Sequence, residues 1–494
     1  MSEIKTLLSQ SSHYFAGQVI VMISGFISFP ILTRIFSVGD YGILGLVTTT
    51  IFIATAIGKF GLVSSIIRFY AQFKSDKRLG TFHTTMFIGS VGCAATIAIL
   101  FYIVSRFFQG KVFDEKTVGL MPIVSILIFM TCTIDILTSF LRAAQRTKLY
   151  NFVALVRRYG SLLVSIFFIL FVVKGIYGFY FGHALWGAVI LSFLIYISVK
   201  GKRVSDLTFS SKLLGNSIKF GFPLIWAELG YLILNYVDRY LVQMYLGGVS
   251  LGIYVAGYNL ATYVTEIIMY PINFAMAPIY MDILVNRGEE RTKEFFEKTF
   301  RYFLLIMFPI VFGFIAVGKD LIEILATSKY LEAYPIMIYV VIGQSIYACS
   351  ILLNNGLFIK KKTYIVTYVI FAACLVNIGL NAVLIPRFGI VGAAQATLLS
   401  NIFCAVMMTY YAFKEFSFRI DYSRILLYLG IGGAMYLIIS AIDLRAPIYN
   451  LVAKISVGTV FYSVLVLILD RDLRIAVFRV IGRSGRKDLG LPLR

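Results

Sequence analysis

About fourteen apolar stretches, each roughly 20 to 25 residues long and separated by short polar loops, follow one another along this chain. The hydrocarbon core of a bilayer is about 30 Å thick, so at about 1.5 Å of rise per residue a helix needs about 20 apolar residues to cross it. Hydrophobic residues make up 59% of the chain and charged residues 14%, with a mean hydropathy of +0.87. A soluble globular domain carries about 25% charged residues, so the chain reads as an all-α polytopic membrane protein. The spans are expected at 12–36, 43–66, 82–105, 118–141, 150–173, 177–199, 220–244, 251–279, 299–318, 335–358, 364–385, 390–413, 423–441 and 449–469. The first is long, polar-edged and followed by no small-residue cleavage site, so it is read as a retained helix rather than a signal peptide.

The formal charge of +21 invites a nucleic-acid reading, and the placement of the charge argues against it. Alternate loops, together with the two ends of the chain, hold 31 of the 45 Lys and Arg; the opposite loops hold nine and the spans five. Such a bias over short loops is the positive-inside pattern, and it puts both termini in the cytoplasm. All five cysteines (Cys93, Cys132, Cys349, Cys374, Cys404) lie inside spans at no metal or redox spacing and are read as small apolar fillers. The histidines His13, His83 and His183 form no ligand cluster, and no phosphate loop, nucleophile elbow or zinc motif is found. No cofactor and no enzymatic activity are expected.

The chain also repeats itself. Gly42-Ile43 after the first span matches Gly252-Ile253 after the seventh, at an offset of 210. Gly175-Ile176-Tyr177-Gly178 matches Gly389-Ile390-Val391-Gly392 at an offset of 214, and Arg146-Thr147 matches Lys362-Thr363 at 216. Six helices is an even number, so the two copies enter the membrane in the same orientation, related by a pseudo-twofold axis along the membrane normal. Residues 1–205 are expected to form one six-helix lobe, 206–415 the second, 416–470 two additional helices and 471–494 a basic cytoplasmic tail at the membrane surface. Duplicated lobes around a central cavity suit alternating access.

Short patterns add a resemblance that covers essentially the whole chain. They are Pro30-x-x-x-Arg34 with its Asp40-Tyr41-Gly42 turn, Lys219-Phe220-Gly221-Phe222-Pro223, Val237-Asp238-Arg239 and Leu251-Gly252-Ile253-Tyr254. With the 6+6+2 arrangement they resemble the polysaccharide flippases of the multidrug/oligosaccharidyl-lipid/polysaccharide exporter superfamily, Wzx-type transporters of O-antigen and capsule repeat units in particular. The resemblance implies a MATE-like fold, a rocking pair of bundles and a lipid-linked oligosaccharide as substrate. Lipid II flippases and multidrug exporters share that fold; the acidic residue in helix 1 expected of many drug exporters is missing here.

An ionised side chain at mid-membrane costs about 2.5–3.5 kcal/mol on insertion scales, so each one should face protein or a wet cavity. Glu228, Tyr231, Asn235, Asp238 and Arg239 fall within about 100° of arc on the seventh span. Tyr258, Asn259, Thr262, Tyr263, Glu266, Tyr270 and Asn273 do so over about 140° on the eighth, and Tyr41, Thr48, Thr55, Lys59 and Tyr70 over about 60° on the second. Three polar stripes argue for one aqueous cavity between the lobes. Each charge has a structural reading beside the functional one. Asp238 and Arg239 form an ion pair locking the seventh span to a neighbour, or they serve the cavity. Arg34 snorkels to headgroups or meets substrate. Arg157 and Arg158 anchor the interface or meet substrate, Asp135 pairs with Arg142 or Arg146, and His183 is a hydrogen-bonded packing residue. Lys59 is deeper than these and has no acid on its own helix to pair with.

The leading expectation is a flippase of the bacterial inner membrane for O-antigen, capsule or exopolysaccharide synthesis, carrying an undecaprenyl-pyrophosphate-linked glycan to the outer leaflet. Its pyrophosphate would meet Lys59, Arg34, Arg157, Arg158 and Arg239, and its glycan the stripes bearing Tyr258 and Asn235. Glu228, Asp238 and Glu266 are the candidate ion-coupling sites. Membrane lipids, and the polymerase and chain-length regulator of the same pathway, are the partners implied. The alternatives are a small-molecule antiporter of the same fold, disfavoured by the cations, and a membrane glycan polymerase or ligase. The latter is disfavoured because the longest outer loop, Lys319 to Tyr334, is only about 16 residues.

Overall fold

The computed structural model describes residues 20, 23–110, 112–200 and 208–475, apart from the side chains of residues 270, 271 and 273–275. The expectations for His13, the side chains of Tyr270 and Asn273 and most of the basic tail lie outside these residues. Nearly all that is described is helix.

The first half runs α1 (Ile23–Ile35), α2a (Val38–Gly58), α2b (Leu62–Ser75), α3 (Leu79–Phe107), α4 (Glu115–Ala143), α5 (Thr147–Phe171) and α6 (Ile176–Val199). The second half runs α7 (211–246), α8 (248–287), α9 (289–326), α10 (Tyr334–Ile359), α11 (363–388) and α12 (390–415). Helices α13 (Tyr422–Ser440) and α14 (Pro447–Leu469) complete the chain. Eleven helical stretches are long and apolar enough to cross a membrane. Dividing them at Gly247, Gly288 and Gly389, counting the two pieces of α8 as one helix and adding α1 gives the fourteen helices expected, with α2a and α2b taken together.

The turns between helices are short because single residues make them. Gly247, Gly288 and Gly389 sit at φ of 80°, 83° and 61°, a region an L side chain rarely enters. Each reverses the chain: Tyr254 reaches back across Gly247 to Asp238, and the rings of Tyr280 and Phe296 stand 5.3 Å apart across Gly288. Helix starts follow local chemistry. The Ser37 hydroxyl accepts from the Asp40 amide at the start of α2a, and the Asp114 carboxylate caps α4 through Thr117. Asp40, in the first turn of α2a, lies favourably at the positive end of the helix dipole and pairs with Lys116.

The bundle has two unlike ends. At the end away from the basic loops one continuous apolar core joins the halves, running from Phe29, Tyr41 and Leu46 to Leu251, Tyr254 and Tyr330. Toward the basic end the core divides. Leu62, Phe82 and Ile136 pack in the first half with Leu213, Leu214 and Ile218 of α7 against them, and Phe296, Phe303 and Leu352 pack within the second. Helices α13 and α14 lean on α9 through Tyr428, Met435 and Tyr462. Two polar clamps fix them. Lys454 of α14 pairs with Asp320 at 2.9 Å while Asn450 donates to the same carboxylate. Asp470, just past α14, takes Arg301 of α9 at 2.7 Å and Arg424 of α13 at 2.9 Å. Its burial works to raise its pKa, but the hydrogen bonds from Arg301 and Tyr428 outweigh that and hold the carboxyl down at about 2.

Candidate functional site

The break in α2 is the first constraint on the site. Phe60 and Gly61 both have positive φ, at 45° and 69°, and they re-aim the chain between α2a and α2b. The stripe expected along the second span therefore does not survive as one face. Tyr41 and Thr55 are buried, and Tyr70, beyond the break, stands edge-on to His83 of α3 with ring centroids 6.2 Å apart. Lys59 is the last residue before the break. Its ammonium lies 2.7 Å from Glu228 of α7, an acid from the other half of the molecule.

Three more of the expected cations gather nearby. Arg157 pairs with Asp135 at 2.8 Å, which corrects the expectation that Asp135 would take Arg142 or Arg146. Arg142 is seven residues along the same helix, about 10 Å away along its axis, whereas the α4–α5 hairpin brings Arg157 alongside. Arg158 donates to Ser24 of α1 at 2.7 Å, and His183 is hydrogen-bonded to Ser161 at 2.5 Å. These groups are mutual neighbours. Lys59 and Asp135 both act electrostatically on Cys132, Arg157 and Arg158 on His183, and Arg158, Glu266, Tyr236 and Arg239 on Tyr263. Together they form a polar cluster between the halves, and the Glu266 side chain on α8 is exposed.

Asp238 and Arg239 do not form the expected ion pair. Successive residues on a helix point about 100° apart, and these two serve different neighbours. The Arg239 guanidinium lies between the rings of Tyr236 and Tyr258, 4.4 and 4.8 Å from their centroids, and reaches Thr49 of α2a at 3.4 Å. Asp238 accepts from Tyr254 at 2.5 Å and from Thr397 of α12 at 3.4 Å, and its other oxygen has no partner among the described residues. Asn235 donates to the Tyr231 carbonyl one turn earlier at 2.8 Å.

Arg34 lies elsewhere. At the opposite end its guanidinium donates to the Ile324 and Leu325 carbonyls at 2.6 and 2.9 Å, capping the carboxyl end of α9. Thr33 beside it donates to Leu325 as well, at 3.2 Å. Carbonyls in the last turn of a helix lack intrahelical donors and carry partial negative charge, so a cation is well placed there.

The sequence reading missed two sets of residues. The first is glycine on glycine. Gly42 packs against the backbone of Gly248 and Gly252, and Gly61 against that of Gly221. Small residues let helix backbones approach this closely, and the repeat offset of 210 had already paired Gly42 with Gly252. The second set is polar. At offsets of 216 and 214, Asn377, Asn381 and Thr397 correspond to Ser161, Ser165 and His183. In α11 the Asn381 amide donates to Asn377 at 3.0 Å, and both side chains are buried. Continuing the repeat register into the helices would have found them.

Known proteins agree with this architecture. The profile of the polysaccharide biosynthesis protein family matches residues 31–335. An uncharacterized membrane protein of Methanocaldococcus jannaschii is 23% identical over 428 residues, covering 83% of this chain and 84% of its own. A probable low-salt glycan biosynthesis flippase of Haloferax volcanii is 25% identical over 122 residues, a quarter of each chain. Among solved structures, the lipid II flippase MurJ in an inward closed conformation superposes with a TM-score of 0.77 at 16% identity, covering 93% of this chain and 99% of that one. An inward-facing multidrug MATE transporter gives 0.57 at 16% identity, over 82% and 98%. The fold is that of these transporters, and the chain belongs to the polysaccharide biosynthesis protein family.

Proposed function

We propose that this protein is a flippase that moves a lipid-linked oligosaccharide across the membrane by alternating access. The observation that carries the reading is this polar cluster, which the reading takes as the wall of a chamber between the halves. Lys59, Arg157 and Arg158 face this space, with Arg239 buried behind Tyr236 and Tyr258, and tyrosines and amides complete its walls. Cations of this kind suit a pyrophosphate head group, and tyrosines suit the C–H faces and rim hydroxyls of sugars. An apolar groove of about 750 Å³ lies between Phe26 of α1, Val264 of α8 and helices α9, α13 and α14. It offers the lipid tail a path alongside the chamber without drawing it into water. The family match and the Haloferax relative support glycan export; the carrier is taken to be of the undecaprenyl-pyrophosphate kind.

In this reading residues 1–205 and 206–415 are the two moving lobes, and residues 416–470 ride with the second through the Asp320 and Asp470 clamps. Both termini face the cytoplasm, so the basic end is the inner one. Reporter fusions at Lys200 and after Arg474 should then report a cytoplasmic location, and fusions at Lys174 and Arg387 the outer one. The ion that drives transport is assigned to Asp238 and Glu266. Asp238 offers a buried carboxylate oxygen with no partner among the described residues, and Glu266 is open to the chamber. Asp238→Asn and Glu266→Gln keep shape but cannot lose a proton. In proteoliposomes, at least one should retain substrate binding and lose its response to an imposed proton or sodium gradient; if both respond like the parent, the assignment is wrong.

The decisive experiment is complementation of a strain lacking its own polysaccharide flippase. Lys59→Ala should abolish it without lowering protein level, and Lys59→Arg should retain part of it. Full complementation by Lys59→Ala would remove the phosphate contact from the proposal.

A further inference from the structure

The Lys59–Glu228 pair is tied to the closure of the basic end. Directly beside it, Gly61 lies on Gly221, the Ser65 hydroxyl donates to the Ser217 carbonyl at 2.6 Å, and the rings of Phe60 and Phe222 stand 6.1 Å apart. Every one of these contacts joins α2 to α7, and together they close the two halves over the chamber at that end. Lys59 keeps 16% of its side-chain surface and Glu228 keeps 47%, so the pair sits where water and a ligand can reach it. The next acid, Asp135, is committed to Arg157. Glu228 is therefore the carboxylate paired with Lys59 in the empty, closed chamber.

We propose that Glu228 is an internal stand-in for the substrate's phosphate. It neutralises Lys59 when the chamber is empty and the basic end is shut, and an arriving phosphate displaces it and parts α2 from α7. The argument rests on the flippase reading and deepens it. A transporter shuts on an empty chamber each time it returns from releasing its substrate. A cation that holds phosphate on the loaded path would be left bare in a narrow seam on the empty path, at a cost membranes impose on any unpaired charge. A carboxylate on the facing helix removes that cost. Phosphate and Glu228 are both anions and repel each other beside one ammonium, so occupancy by one disfavours the other. Glu228, expected from sequence to bind a coupling ion, is reassigned as a positioning residue.

The test uses the full-length protein in proteoliposomes, with its five cysteines replaced and Phe69→Cys on α2b and Phe220→Cys on α7, whose rings stand 5.3 Å apart, introduced as a reporter of the closed seam. A short bis-maleimide should link the two efficiently in the parent. Saturating inorganic pyrophosphate, or farnesyl pyrophosphate, should reduce the link about fivefold, the size expected for losing a partly exposed pair. Glu228→Gln should show the same reduction with no ligand added. The neutral double variant Lys59→Ala with Glu228→Ala should close again and ignore pyrophosphate. A functional split should accompany this: Glu228→Gln should still exchange a short-chain prenyl-pyrophosphate sugar between leaflets preloaded on both sides, yet lose net transport into empty vesicles. If the parent transports while Glu228→Gln links and transports like it, the stand-in role is wrong and the flippase reading stands. If the parent neither transports nor exchanges the sugar, the flippase reading itself falls.

Discussion

The two ends of the seam between the halves are built from the same unit, glycine packed on glycine, but in different surroundings. At the end away from the basic loops, Gly42 and Gly252 lie inside a continuous dry core with Leu46, Tyr254 and Tyr330. At the basic end, Gly61 and Gly221 are flanked by a water-accessible ion pair, a hydroxyl bond and smaller apolar contacts, Phe60 on Phe222, Phe69 on Phe220 and the start of α7 at Leu213, Leu214 and Ile218. Burial of apolar surface stabilises closure in proportion to area, whereas a partly exposed ion pair contributes about 0–1 kcal/mol. The first seam is therefore thick and the second thin. A thin seam guarding a chamber is one that a ligand can open.

Substitutions at matched positions should separate the two. The largest effect is expected for Gly252→Val, whose side chain would collide with the Val38 carbonyl inside the continuous core. Overpacking of this kind costs about 1–3 kcal/mol, so the detergent-solubilised protein should melt several degrees lower and transport should be lost. Gly221→Val should also stop transport, by holding the basic end apart, while leaving the melting temperature close to the parent's. Equal melting shifts for the two would erase the distinction between thick and thin seams.

A smaller effect is expected at Arg34. As the cap of α9 it should contribute about 1 kcal/mol to closure of the thick seam. Arg34→Gln should weaken a cross-link placed between the ends of α1 and α9, and Arg34→Lys should do so nearly as much, because a single ammonium cannot reproduce the guanidinium fork on two carbonyls. Restoration by lysine would favour a simple headgroup contact instead.

The smallest effect belongs to Asp470, away from both seams. Its carboxyl is held at about 2, below the usual carboxylate value of 3.8, so it adds stability above pH 4 that is lost as pH falls toward 2. Asp470→Asn should remove that part of the acid sensitivity of the α13–α14 packing, measured as thermal aggregation between about pH 4 and pH 2, and leave transport at neutral pH unchanged.

Most of the architecture was legible in the residues. Hydrophobic runs of span length, the loop charges and three repeat matches were enough to expect fourteen helices in a 6+6+2 order, because bilayer thickness sets helix length without reference to partners. The site was legible only as a set of residues. Lys59 was singled out because no acid on its own helix can pair with it, and its partner proved to be Glu228, 169 positions away on a facing helix.

What the chain alone determined is what depends on one helix at a time: how long each span is, where glycine turns it, and which residues are too polar to face lipid. What the tertiary structure decided is which of those polar residues meet. The helical phase that placed Asp238 and Arg239 on one stripe could not say that α8 and α12 would claim the first and the rings of Tyr236 and Tyr258 the second. The stripe drawn along the second span could not register that Phe60 and Gly61 would re-aim it at positive φ. Arg34 could not be assigned to the end of α9 before the halves were placed together. Pairing between charges falls off over a few ångströms, so it is fixed by the packing of whole helices, and that packing is a property of the assembled bundle.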